Sequence, residues 1–190
     1  MTAARVRAMW ASLSLVAAAP LAAQDLKAGL MGSPAPGREA PGIVLPYFTA
    51  AGPGPANQPF RLSAELGRVV VLVFDAREDN ASAAKWAEVT ARLDSLAGST
   101  VALVGVVHAG AGPTQVLATG QAGQLKFLAD SLGLVHRRYG VGRGARHWLL
   151  VVVADDGRVV SAGPIQFGSS AWWGTIGPSV RRGRTAVPRS

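Results

Sequence analysis

Cysteine is missing from all 190 residues. That one absence removes disulfides, thiolate nucleophiles, zinc–thiolate sites and iron–sulfur clusters together. Charge is scarce: 16% of residues are Asp, Glu, Lys or Arg, against 49% hydrophobic, which is not the balance of a disordered chain. Histidine occurs three times, as His108, His136 and His147. They lack a His-x-x-x-His spacing, so no metal is expected. Ser82 has no Gly-x-Ser-x-Gly setting, so a nucleophile elbow is unsupported. The glycine-rich stretch GVGRGARH (Gly140 to His147) does not lead from a strand into a helix in the dinucleotide pattern, and no cofactor is expected. No internal repeat is visible. Past the first two dozen residues, no apolar run reaches the ~20 residues that cross a bilayer.

What is present is organised around Arg68 to Gly98. RVVVLVFDA is an uninterrupted, valine-rich run, which reads as a strand buried on both faces. REDN follows as a short polar loop. ASAAKWAEVTARLDSLAG then changes period: Ala84, Ala87, Val89, Leu93 and Leu96 return every three or four residues, as on an amphipathic helix. Asn80 or Ser82 is placed to cap its start, and Gly98 to end it. In a strand–loop–helix unit the loop lies at the strand's carboxyl end, where α/β folds place their chemistry.

The first residues have a different character. MTAARVR carries two arginines and no acid, and MWASLSLVAAAPLAA is apolar and ends in small residues. This is the layout of a secretory signal peptide over residues 1–23, with cleavage near Ala23. The expected location is outside the cytoplasm, periplasmic or secreted, with envelope association open. Residues 24–40, punctuated by Gly29, Gly32, Pro34, Pro36 and Gly37, read as a flexible leader.

Further elements follow in order. Ile43 to Thr49 is a short strand, Ala50 to Pro59 a turn, Phe60 to Leu62 another strand, and Ser63 to Leu66 one helical turn stopped by Gly67. Thr100 to His108 is a second buried strand, and Pro113 to Ala122 a helix with proline in its first turn. Leu125 to Ala129 is a brief strand. Asp130 is placed to cap a helix from Ser131 to Arg138. Trp148 to Val153 is a third buried strand, ADDG (Ala154 to Gly157) a hairpin turn, and Arg158 to Ala162 the returning strand. Strands alternating with helices imply a mainly parallel sheet covered on both faces. The final hairpin is antiparallel. A parallel βαβ half followed by such a hairpin is the arrangement of the thioredoxin fold: an α/β domain over residues 41–165 with a central mixed sheet and helices on both faces. Residues 166–190 form a tryptophan-containing segment and a basic tail.

Residues 40 to 163 resemble the thioredoxin-like superfamily, in particular the peroxiredoxins (alkyl hydroperoxide reductase and thiol-specific antioxidant proteins) and the thiol–disulfide redoxins. APGIVLPYF, FRLSAELGRVVVLVF, LADSLGLVHRRYGV and VVVADDGRVV carry the likeness through their order and spacing. It covers about two thirds of the chain. The resemblance implies peroxide or disulfide chemistry at a cysteine after the first core strand, and here the pattern fails. In the peroxiredoxin register Ala76, Asn80 and Ala83 stand at the proline, threonine and cysteine places. In the thioredoxin register the two cysteines fall near Asp79 and Ser82. Arg146 and His147 occupy the place of the family's proline before the third strand, and Arg146 is similar in position to the arginine that steadies the peroxiredoxin thiolate. Peroxide reduction needs a thiolate of lowered pKa, and alanine, serine and aspartate do not supply one.

The family's activity is therefore not carried over. The expected function is a noncatalytic binding or accessory module on a redoxin scaffold, with an unidentified protein partner. The alternatives are an antioxidant-class protein working with a partner's thiol, and a purely structural envelope protein anchored by its C-terminus. A residual polar pocket is expected from Asp79, Asn80, Ser82, Ala83, Arg146 and His147, either as a seat for a small anion beside a helix start or as a solvated loop. Trp172 and Trp173 are either core or an interface. The formal charge is +8. Arg5 and Arg7 belong to the signal, and Arg181, Arg182, Arg184 and Arg189 crowd the last ten residues. RRGRTAVPRS thus reads as a disordered basic end that could meet an anionic surface. For an exported protein no nucleic acid is expected.

Overall fold

The computed structural model describes residues 34–76, 83–98, 100–121, 123–142, 145–169 and 171–184. Strands β1 (Val44–Leu45), β2 (Tyr47–Thr49), β3 (Gly52–Pro53) and β4 (Phe60–Arg61) lead through a 3-10 turn (Leu62–Glu65) into β5 (Val69–Phe74). Then come α1 (Ala83–Asp94), β6 (Val101–Val107), α2 (Ala111–Thr119), β7 (Lys126–Ala129) and α3 (Leu134–Arg138). β8 (Trp148–Val153), β9 (Val159–Ile165) and α4 (Ala171–Gly183) complete the described residues.

One seven-stranded sheet dominates, ordered β3-β2-β7-β6-β5-β8-β9. β5, β6 and β7 are parallel neighbours, and β8 and β9 join antiparallel beside β5. The sheet is mixed, with the parallel half and final antiparallel hairpin expected from the sequence, but it is not mainly parallel: four of its six ladders are antiparallel, because β8 joins β5 and β9, and β2 joins β7 and β3, in the opposite sense. Every residue of β5 is buried, and its alternation sorts the core. Val69, Val71 and Val73 point to one face, with Trp86, Leu93, Leu117, Trp172 and Ile176 from α1, α2 and α4. Val70, Leu72 and Phe74 point to the other, against Ile43, Phe60, Val135 and Tyr139. A strand sealed on both sides needs no polar alternation, hence the unbroken valine run.

Several expectations are corrected. Ile43 to Thr49 is not one strand: Pro46 divides it, so that β1 pairs with β4 and β2 with β7 and β3. The turn between them contains β3. The stripe of α1 is Trp86, Val89, Thr90 and Leu93, while Ala84 and Ala87 are exposed. The large indole claims the buried side because it has far more apolar surface to remove from water. α1 ends at Asp94 rather than at Gly98, which instead bridges Val101. α2 begins two residues before Pro113 and stops at Thr119. β9 runs on to Ile165, past Ala162. The leader is pinned at its end: the Gly37 amide donates to Val159 O at 2.8 Å and the Ala40 amide to Gly157 O at 3.0 Å. Arg181 and Arg182 lie in the last turn of α4, so the basic stretch begins as ordered helix; residues 185–190 lie outside the described residues.

Packing over β6 is close. A Cβ on Gly105 would sit 2.7 Å from two ring carbons of Trp86 and 3.2 Å from Phe127. Trp86 is fully buried and also packs at a tilt against Trp148, with ring centroids 4.6 Å apart. Gly105→Val should therefore destabilise the fold by about 1–3 kcal/mol, the usual penalty for overpacking. Urea unfolding followed by tryptophan fluorescence measures it, and an unchanged midpoint would contradict this packing.

Candidate functional site

Of the six residues predicted for a residual pocket, Asp79, Asn80 and Ser82 lie outside the described residues, as does the expected cap of α1. Ala83 opens α1 and is exposed. Arg146 is exposed and His147 half-buried, on the approach to β8. The rings of Trp86, in the first turn of α1, and Trp148, at the start of β8, pack at a tilt with centroids 4.6 Å apart. Trp172 is buried in the core beneath α4. Trp173 is half-buried beside it, edge-to-face at 5.8 Å. Of the two, Trp173 keeps the larger surface for a partner.

The most concentrated chemistry lies elsewhere on the carboxyl edge. Each parallel strand is followed at once by an ionisable residue: β5 by Asp75, β6 by His108 and β7 by Asp130. The backbone ladder continues through two of them, with the Asp75 amide donating to Val106 O at 3.3 Å and the Asp130 amide to Val107 O at 3.0 Å. His136 of α3 plugs the gap between the two carboxylates. Its Nδ1 lies 2.9 Å from Asp130 Oδ2 and its Nε2 3.0 Å from Asp75 Oδ1. All three side chains are at most 2% exposed.

Both carboxylates also accept from the backbone. Asp75 Oδ1 accepts from the His108 amide at 2.9 Å. Asp130 accepts from the amides of Leu134 at 3.0 Å and His136 at 2.9 Å. Asp130 thus satisfies first-turn amides of α3, as expected of a capping residue, but the N-cap position itself is Gly133. The helix starts three residues later than expected, because Ser131 and Leu132 form a turn and Gly133 enters at φ 62°. The rings of Phe74 and His108 meet His136 edge-on, each at 5.4 Å.

A ring facing a carboxylate at each nitrogen satisfies both only as the doubly protonated imidazolium. Burial alone would lower the His136 pKa. The hydrogen bonds to Asp130 and Asp75, with their two charges, outweigh it and hold the pKa above the ordinary 6.5. For Asp130, burial alone would raise the pKa; the hydrogen bonds and charge of His136 and the Leu134 amide bring it below 3.8. Chemically the triad is closed. It clasps the ends of β5, β6 and β7 to α3 and presents almost no surface to a substrate. Among the described residues no group of three or more His, Asp or Glu side chains is arranged to hold a metal. Sequence reading singled out Asp130 and His136 separately and passed over Asp75. The available signal was the single ionisable residue closing each of FD, VVH and LAD.

No family model and no curated protein matches the chain. Solved structures do. A reduced 2-Cys peroxiredoxin of Plasmodium vivax is similar at a TM-score of 0.61 and 17% identity, over 77% of this chain and 96% of that one. The peroxidoxin BcpB of Mycobacterium tuberculosis is similar at 0.58 and 20%, over 80% and 99%. The exposed lipoprotein thioredoxin Etrx1 of Streptococcus pneumoniae follows at 0.53 and 19%, over 75% and 99%. With sheet order, crossover and final hairpin in place, the fold is thioredoxin-like, of the kind redoxins share. This chain carries it without a single cysteine.

The clasp has a pH signature. His136, with its pKa raised on folding, contributes stability in full below 6.5, and the contribution is lost as pH rises through its folded value. Asp130, with its pKa lowered, contributes above 3.8 and is lost as pH falls through its folded value. Stability from this source should peak between those two ordinary values. His136→Gln should flatten the alkaline limb in thermal melts followed by circular dichroism. His136→Leu should cost about 3–5 kcal/mol, because two buried carboxylates lose their shared partner. A melting temperature in His136→Leu equal to that of the parent protein would show that the clasp stabilises nothing.

Proposed function

We propose that the chain is an exported, noncatalytic thioredoxin-like module that works by binding a partner. The carrying observation is the redoxin scaffold without cysteine. Peroxide and disulfide chemistry both run through a thiolate that attacks, is oxidised and is resolved by a second thiol. Alanine, serine and aspartate at the cysteine places do not supply a thiolate, and among the described residues the Asp75–His136–Asp130 clasp is buried. Scaffolds of this kind host unrelated functions, so the site and not the fold decides the assignment.

Export is supported by the arginine-led, small-residue segment before Gln24. It is also compatible with the description of one structural neighbour as an exposed lipoprotein. No helix among the described residues is long and apolar enough to cross a membrane.

Purified protein should show no hydrogen peroxide consumption and no insulin-disulfide reduction above a boiled control, with dithiothreitol or a thioredoxin system as reductant. Turnover that scales with protein concentration would reverse the noncatalytic reading. In the native host, mass spectrometry should find the mature protein beginning near Gln24 in the exported fraction. A mature chain that still begins at Met1 would reverse the export reading.

A further inference from the structure

Five large apolar side chains stand clearly exposed among the described residues, and three of them share one groove. Val44 is 53% exposed, Leu132 71% and Leu134 46%. With Leu45, Pro46 and Arg138 they line a concavity of about 510 Å³ between β1 and the turn that enters α3. Such clustering differs from the scattered apolar residues of an ordinary surface.

The rim has one sign of charge. Arg137 and Arg138 belong to α3, and each reaches only a backbone carbonyl, Leu132 O and Gly42 O respectively, at 3.4 Å. Arg61 is the direct register partner of Val44 across the β1–β4 pair. Directly opposed residues share a face of a β-ladder, so this third arginine flanks the same side. None of the three pairs with a carboxylate among the described residues. The one acid lining the groove, Asp130, is 2% exposed and spends its oxygens on His136 and the α3 amides. The groove is apolar at its base and cationic at its edge, with no anion of its own.

We propose that this groove docks an extended segment of a partner protein in which aliphatic side chains are flanked by Asp or Glu. The inference rests on the binding-module reading above and names the surface and the partner's chemistry. Three alternatives fit less well. A second copy facing its own patch would bring six arginines together with no acid between them. A bilayer is flat, whereas these leucines line a hollow. A basic partner would meet the same sign of charge. Apolar anchors ringed by arginine are a recurrent composition at protein interfaces, and rim charge chiefly sets partner choice and association rate.

Selection of phage-displayed random dodecapeptides on the full protein tests the proposal. Counter-selection uses Leu132→Ser/Arg138→Glu, a pair of surface changes that leave the core untouched. The expected outcome is peptides rich in aliphatic residues bracketed by Asp or Glu. By fluorescence polarisation they should bind the double variant at least about tenfold more weakly. Affinity should also fall with added salt, since the charges are exposed. The proposal is overturned if no peptides are selected, if the selected peptides lack acids or bind both proteins equally, or if phosphatidylglycerol vesicles bind in a way the double variant abolishes while no peptide binds. Concentration-dependent dimerisation lost in the double variant would assign the groove to self-association instead. The readouts are separate from the turnover assays. Peroxidase activity with intact peptide binding would sink the noncatalytic reading alone, and peptide failure without turnover would sink the groove alone.

Discussion

An imidazolium held between two buried carboxylates closes the end of the sheet on which the rest of this molecule depends. β5 and β6 bury both faces and lie inside the sheet, so no solvent reaches them from the sides. Their carboxyl ends are where parallel strands stop and backbone amides need new partners. Asp75 and Asp130 supply acceptors there, and His136 supplies the charge that makes two buried carboxylates tolerable. The arrangement is expensive in desolvation and is kept by hydrogen bonds at every ring nitrogen and most carboxylate lone pairs. It also orients α3, since the carboxylate that meets the ring receives the first amides of that helix. The groove wall, the cap and the buried charge are therefore one construction.

The scaffold and the chemistry of this fold are separable. Thioredoxin-like sheets present a strand end, a loop and a helix start where a thiol can be activated. This chain has that scaffold and no cysteine. The polar resources of the carboxyl edge are turned inward, to hold strands and helix together. The groove beside α3 is lined by β1 and the turn after β7, neither of which carries a residue at the cysteine places of either redoxin register.

The elements that were legible in the sequence are those whose burial is unambiguous. VVVLVF, VALVGVV and WLLVVV are covered on both faces and read as core strands from composition alone. The Asp-Gly turn declares itself through Gly157, at φ 85°. Legibility fails where the outcome depends on distant partners. Pro46 sends β1 and β2 into different sheets, a choice made by β4 and β7 and not by the seven residues around it. The alanines around Trp86 mimic the stripe of α1, and the space over Gly105 shows that the indole points inward. The clasp was hidden for the same reason. Asp75 and His136 are 61 residues apart, and neither has a motif. Only the parallel order of β5, β6 and β7 brings them within reach of one another.

The strap before β1 bears on how the chain is made. Gly37 and Ala40 are bonded to the β8–β9 hairpin, and Pro41 O accepts from the Tyr139 hydroxyl at 2.7 Å. The contact between Arg158 and Gly37 spans 121 positions. During vectorial synthesis the early segment leaves the ribosome long before the hairpin that holds it exists. Until then Ile43 and its neighbours have no completed sheet to cover, and an apolar surface stays available to chaperones, which act on chains that have not yet closed. Sealing of the domain is accordingly among the last events of its maturation.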